Sequence, residues 1–177
     1  MARRNLKSNL SARVGNEFFG RLKFGWGYAF DLDDTPRLTA SAPLENVADV
    51  YDLVFSFADR AKGLKAYYFK VVLDAHGKIT DDLALPDLAS NPGKARLVSC
   101  QVAVATAMTR GFPRDKSSVW FDFDRETKSF VWIVTDNEPV APDTPPLAIM
   151  GNGTYRSVDV DANTGMVPRV YKRTIIV

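Results

Sequence analysis

Two residue types that build most enzyme centres are nearly missing from this chain. Its 177 residues include one cysteine, Cys100, and one histidine, His76. A single cysteine excludes an internal disulfide and any multi-cysteine metal site, and a single histidine excludes a two-histidine zinc site. Together they leave few ways to pair a nucleophile with a base. Long apolar runs are missing too: the longest, Leu97–Met108, is interrupted by Ser99, Gln101 and Thr106 and is too short to cross a bilayer. Asn5, Lys7, Ser8 and Asn9 follow Arg3 and Arg4, so the N-terminus lacks the apolar core of a secretory signal. The expectation is a soluble, cytoplasmic protein, unless a leader has been removed, with no transmembrane segment, cofactor or metal.

What is present fits a globular protein: 46% apolar and 25% charged residues, in a length suited to one ordinary domain or two small ones. The net charge of +2 is uneven, because residues 1–23 carry Arg3, Arg4, Lys7, Arg13, Arg21 and Lys23 against Glu17. Such a stretch reads as a solvated basic arm, or as a short helix over 11–22 weakened by Gly15 and Gly20. No nucleic-acid motif accompanies it, so a nucleic-acid partner is not expected. The remainder, 24–177, reads as a single compact α+β domain with possible sub-modules at 43–90 and 91–177.

Phe24–Phe30 alternates aromatics with glycine, which suits a strand that another backbone or a large side chain approaches closely. Leu44, Val47, Ala48, Tyr51, Val54, Phe55 and Ala58 then recur at three- and four-residue steps, predicting a helix from a Ser41 cap to Gly63. A second helix, opening at Ser90-Asn91-Pro92 and ending near Gly111, is apolar nearly all round and predicts a covered, central element.

Turns are the most informative local feature. Asp161–Gly165 and Asp124–Lys128 share an Asp-x-x-Thr-x form, and Asp74–Gly77 is one residue shorter. A four-residue loop at the second turn sets Phe121 opposite Trp132, Phe123 opposite Phe130 and Val119 opposite Val134. The other face then carries Trp120, Asp122 and Asp124 opposite Ile133, Val131 and Ser129, as in a sheet half in water. The first turn sets Leu73 opposite Ile79. Prolines 139, 142, 145 and 146 mark a stiff connection to the last hairpin. The expected fold is α+β: two helices on one twisted, mainly antiparallel sheet of six or seven strands, which also reads as a tandem helix-plus-hairpin duplication.

From the second helix onward, the hairpin containing Val131-Trp132-Ile133-Val134 and the segment Tyr155–Val167, with its V-D-A-N-T-G-M-V ending, resemble PepSY-type (cystatin-like) modules. The resemblance covers about residues 91–177, and 43–83 could be a degenerate second copy. It implies a non-catalytic module that regulates or inhibits a protease or binds a partner, commonly in extracytoplasmic settings.

A second resemblance is local. Phe30-Asp31-Leu32-Asp33-Asp34-Thr35 is similar to the nucleophile motif of haloacid-dehalogenase-type phosphatases, which would make Asp31 the nucleophile and Asp33 the acid-base around Mg²⁺, with Thr135 binding phosphate. Pro36 departs from that pattern, and the strands following Thr135 read as antiparallel. Asp159–Gly165 superficially looks like a calcium loop, but Thr164 and Val170 occupy the positions where an EF-hand needs glycine and glutamate. Asp122 with Asp124, and Asp159 with Asp161, share strand faces and could supply paired carboxylates, although solvated strand edges carry the same pattern. The expectation is a non-enzymatic binding or inhibitory protein acting on a protein partner, or on itself as a homodimer, through Trp120, Asp122 and Lys128. The alternatives are the Mg²⁺-dependent phosphatase and a small-molecule binder with an aromatic pocket between sheet and helix.

Overall fold

The computed structural model describes residues 2–31, 37–38, 48–139 and 153–175. The chain forms two compact units. One comprises Met1–Asp59, Lys65–Ala95 and Arg125–Lys128, the other Arg60–Leu64, Arg96–Asp124 and Ser129–Val177. The α+β class is as expected, but the strands form two separate antiparallel sheets rather than one of six or seven strands.

The first unit opens with α1 (Ala2–Phe19). Leu6, Leu10, Val14 and Phe18 recur every fourth residue and are all buried, so the stripe starts well before the expected residue 11. Gly15 sits at φ 77° inside the element and kinks it. The sheet runs β2 (Arg37–Leu38), β1 (Lys23–Phe30), β3 (Val50–Asp59), β4 (Leu64–Asp74). Helix and sheet meet through Phe18 and Phe57, whose rings pack edge to face at 5.0 Å.

The predicted helix ending at Gly63 is overturned: residues 50–59 are the strand β3. Within them Tyr51, Leu53, Phe55 and Phe57 are buried in strict alternation, and a two-residue period in β-branched and aromatic residues outcompetes a helical stripe that borrowed Val54 and Ala58. The Ser41 cap and the stripe up to Val47 lie outside the described residues. The expected close approach in the aromatic strand is present: a Cβ on Gly27 would lie 2.7 Å from Leu53 Cδ2 and 2.9 Å from the Asp52 carbonyl oxygen. Leu73 bridges Ile79 as the Asp74 turn requires, the Asp74 carboxylate accepting from the His76 and Lys78 amides at 2.9 Å each.

In the second unit α2 (Cys100–Met108) is shorter than expected, and the predicted start is instead a 3-10 turn at Pro92–Ala95, which belongs to the first unit. Ser99 caps it, its hydroxyl accepting from Val102 N at 3.3 Å. The helix is not covered all round: Ala103 and Ala107 are buried, while Val102 and Met108 are exposed. Its sheet runs in sequence order, β5 (Ser117–Asp124), β6 (Ser129–Pro139), β7 (Gly153–Asp161), β8 (Arg169–Ile175). The β5–β6 register matches the expectation pair for pair, Phe121 with Trp132, Phe123 with Phe130 and Val119 with Val134. Lys128, at φ 51°, fills the left-handed position that Gly165, at φ 74°, takes in the β7–β8 turn. No helix among the described residues is long and apolar enough to cross a membrane.

Candidate functional site

Alternation along the second sheet gives its two faces different chemistry. One packs on α2: Val134 and Val158 meet Ala107 and Phe112, with Val119 and Val167 against them, and the Trp132 indole donates to the Val98 carbonyl at 3.2 Å. On the other face Trp120, Ile133, Asp159 and Arg169 stand side by side across the four strands, and Ser118, Thr135, Ser157 and Tyr171 form the next row.

This second face is not simply wet. Asp159, Thr135 and Ser157 are fully buried. Thr135 and Ser157 share a hydroxyl hydrogen bond at 2.7 Å. Asp159 accepts from Arg169 Nε and from the Tyr171 hydroxyl, the latter at 2.9 Å, so the buried carboxylate is both paired and hydrogen-bonded. Burial, the Asp159 charge and the hydrogen bond to it push the Tyr171 phenol up to about 12.

Two contacts roof the face from β8 back to β5. Arg169 lies 3.7 Å from the Asp124 carboxylate, and the Arg173 guanidinium sits 5.3 Å from the centre of the Trp120 ring. Both join residues at the same antiparallel offset, so the edge strands address each other across the sheet through long side chains. Trp120 thereby presents a cation–π pair, an aromatic body and a fixed charge together.

Of the residues singled out in the sequence, Trp120 and Asp122 share this face. Asp122 is exposed, its carboxylate accepting from the Phe123 amide at 2.7 Å. Lys128 sits apart in the hairpin turn and pairs with Asp82 at 2.5 Å. The lysine hydrogen bond and charge hold the Asp82 carboxyl below its ordinary range. Asp31 is exposed just past β1, whose neighbours β2 and β3 are both antiparallel to it; the end of a parallel strand that a phosphatase nucleophile needs is not there. Asp33 lies outside the described residues. Thr135 belongs to the other unit and is committed to Ser157.

Asp159 and Asp161 do not act as a pair of carboxylates. Asp159 is locked by Arg169 and Tyr171, and Asp161 caps its own turn, accepting from Thr164 N at 2.7 Å and Thr164 Oγ1 at 2.8 Å. Among the described residues no cluster of three His, Cys, Asp or Glu side chains could hold a metal. Burial raises the Cys100 thiol, which leaves it a poor nucleophile. Of the other aromatics, Tyr67 and Trp132 are core, whereas Trp26 is 46% and Tyr68 65% exposed. An open pocket of about 390 Å³ in the first unit has walls of balanced charge, Arg13 and Lys78 against Asp81 and Asp82.

Sequence reasoning missed Arg169, Tyr171 and Arg173 as members of this face. Their i, i+2, i+4 spacing on one strand was the available signal. Among known proteins, no family model matches the chain, and no curated protein or solved structure does so either.

Proposed function

We propose that this chain is a non-enzymatic binding or regulatory protein that acts on a protein partner through the Trp120 face of its second sheet. The observation that carries this reading is the half-buried Trp120 under the Arg173 guanidinium, beside the exposed Asp122. Tryptophan and arginine anchored together at the edge of a desolvated patch are the residue types on which binding energy concentrates. Asp159 and Asp161 are held by Arg169, Tyr171 and a turn, and Asp124 lies 3.7 Å from Arg169, which favours recognition over turnover. The PepSY-like resemblance belongs to the same proposal, supported by the order α2, β5–β6 hairpin, β7–β8 hairpin with the Asp161 turn.

The test is capture from native lysate on immobilised protein, comparing wild type with a charge-matched variant (Trp120→Ala, Asp122→Asn, Lys128→Gln) and with Tyr68→Ala as an unrelated exposed-aromatic control. The expected result is a stoichiometric protein held by wild type and control and lost by the triple variant. A capture indifferent to Trp120, or none beyond a blank column, overturns the proposal.

A further inference from the structure

We infer that the β8 edge of the second sheet accepts an acidic, extended segment of a protein partner as a fifth strand. The inference rests on the partner-binding reading above and names the partner's chemistry. Being last in the strand order, β8 has β7 as its one neighbour among the described residues, and an edge strand offers a row of backbone donors and acceptors to an added strand. Among the strands whose burial is described, β8 alone has no buried residue: Arg169, Val170, Lys172 and Thr174 are exposed and the other three are half-buried. The residues of this edge are therefore largely exposed to solvent.

Charge selects the occupant. The seven residues of β8 include Arg169, Lys172 and Arg173 and no acidic residue. Directly opposite Lys172 on β7 stands another cation, Arg156. Like charges in cross-strand register repel, and neither residue has a carboxylate in salt-bridge contact among the described residues. Arg156 is held by other means, its guanidinium lying 4.5 Å from the Phe112 ring centre and donating to the Arg110 and Gly111 carbonyls at 3.1 and 3.2 Å. Among the described residues, the sheet thus carries a cationic pair without a carboxylate partner at its edge. A second copy adding through its own β8 would face these cations with cations. A carboxylate-bearing strand relieves them while completing the backbone ladder.

The probe is a fluorescein-labelled ten-residue peptide of alternating glutamate and threonine, compared with its lysine–threonine counterpart and a form N-methylated at alternate residues. Binding to the full chain is read by anisotropy, and amide hydrogen exchange is followed over Arg169–Ile175. The acidic peptide should bind, protect β8 amides and weaken with added salt, while the lysine and N-methylated peptides should not bind. Lys172→Glu should weaken binding by roughly tenfold or more yet leave the denaturation midpoint equal or slightly higher, because it sets a glutamate opposite Arg156. Lys172→Arg should restore binding. No binding at millimolar peptide, binding without β8 protection, or equal binding of the N-methylated form overturns the inference. So does β8 protection that appears without peptide and grows with protein concentration, which would assign the edge to a second copy. A captured partner that depends on Trp120 but is indifferent to Lys172→Glu overturns the edge inference alone and leaves the broader reading standing.

Discussion

The buried Asp159 gives an asymmetric prediction. Arg169→Met leaves a carboxylate with no solvent exposure and no cation, and breaking a buried pair in this way costs about 3–5 kcal/mol. Because Tyr171 still donates to the carboxylate, the low end applies, about 3 kcal/mol. Asp159→Asn strands the other partner, but the Arg169 side chain is 44% exposed and has Asp124 at 3.7 Å, so water and a second carboxylate take over. The amide oxygen also keeps an acceptor for Tyr171, and the expected cost is about 1–2 kcal/mol. Two variants of one ion pair should therefore differ by a factor of two or so, with the arginine deletion worse.

The assay is urea denaturation followed by tryptophan fluorescence in a Trp26→Phe background, where Trp120 and Trp132 remain and both belong to the second unit. Reading one unit avoids treating a two-unit chain as a single transition. If Asp159→Asn lowers stability as much as Arg169→Met, or more, the argument from burial is wrong and the pair behaves as an exposed one.

Three further outcomes follow from the same geometry. The Tyr171 phenol is raised from 10.0 to about 12, so its contribution is present in full below pH 10 and lost as pH rises towards 12; Tyr171→Phe should flatten that alkaline limb in a thermal-melt series, and an unchanged limb would refute it. The Lys78 amide hydrogen bond lowers the Asp74 carboxyl below 3.8, with burial opposing and the His76 amide assisting, so its contribution is present above pH 3.8 and lost as pH falls through the lower folded value. Asp74→Ala should shrink the acid limb there, measurable by circular dichroism on acid titration. Gly27→Ala must push Leu53 or the Asp52 carbonyl aside and should cost about 1–3 kcal/mol, read as a shift in urea midpoint, whereas a neutral effect would mean the strand gives way freely.

What was legible in the sequence was the part fixed by short-range chemistry. The Asp124 turn set the β5–β6 register through a loop length and a left-handed residue, and every face assignment on those two strands followed from it. The Asp74 turn behaved likewise, and the Asp161 turn formed as expected but did not set the register of the strand beyond it. The β3 segment was misread because Tyr51 and Phe55 fit a helical stripe as well as a strand, and the choice lay with Leu53 and Phe57, which alternation buries and a helix would have turned outward. The α1 stripe was missed for the opposite reason: Leu6 and Leu10 are isolated in a basic, polar stretch, and their four-residue spacing gains meaning once a sheet provides the apolar face beneath them.

The candidate site was half legible, and a single residue explains where legibility stopped. Asp161 and Met166 close the last turn, the Asp161 amide donating to the Met166 carbonyl at 2.8 Å. Continued straight down the strands, that pairing sets Arg169 opposite Val158 and turns it onto the α2 face. In the structure Arg169 stands opposite Asp159, and Val170 opposite Val158. One extra residue has been taken up at Val167–Pro168, where proline has no amide to give to the ladder and an irregular step costs least. The step moves every β8 side chain to the other face. It brings Arg169 onto the buried carboxylate, Tyr171 beside it and Arg173 over Trp120, and leaves Lys172 facing Arg156 at the open edge. The ion pair that secures the sheet and the cationic edge inferred to bind a partner are thus two consequences of one register shift at a proline.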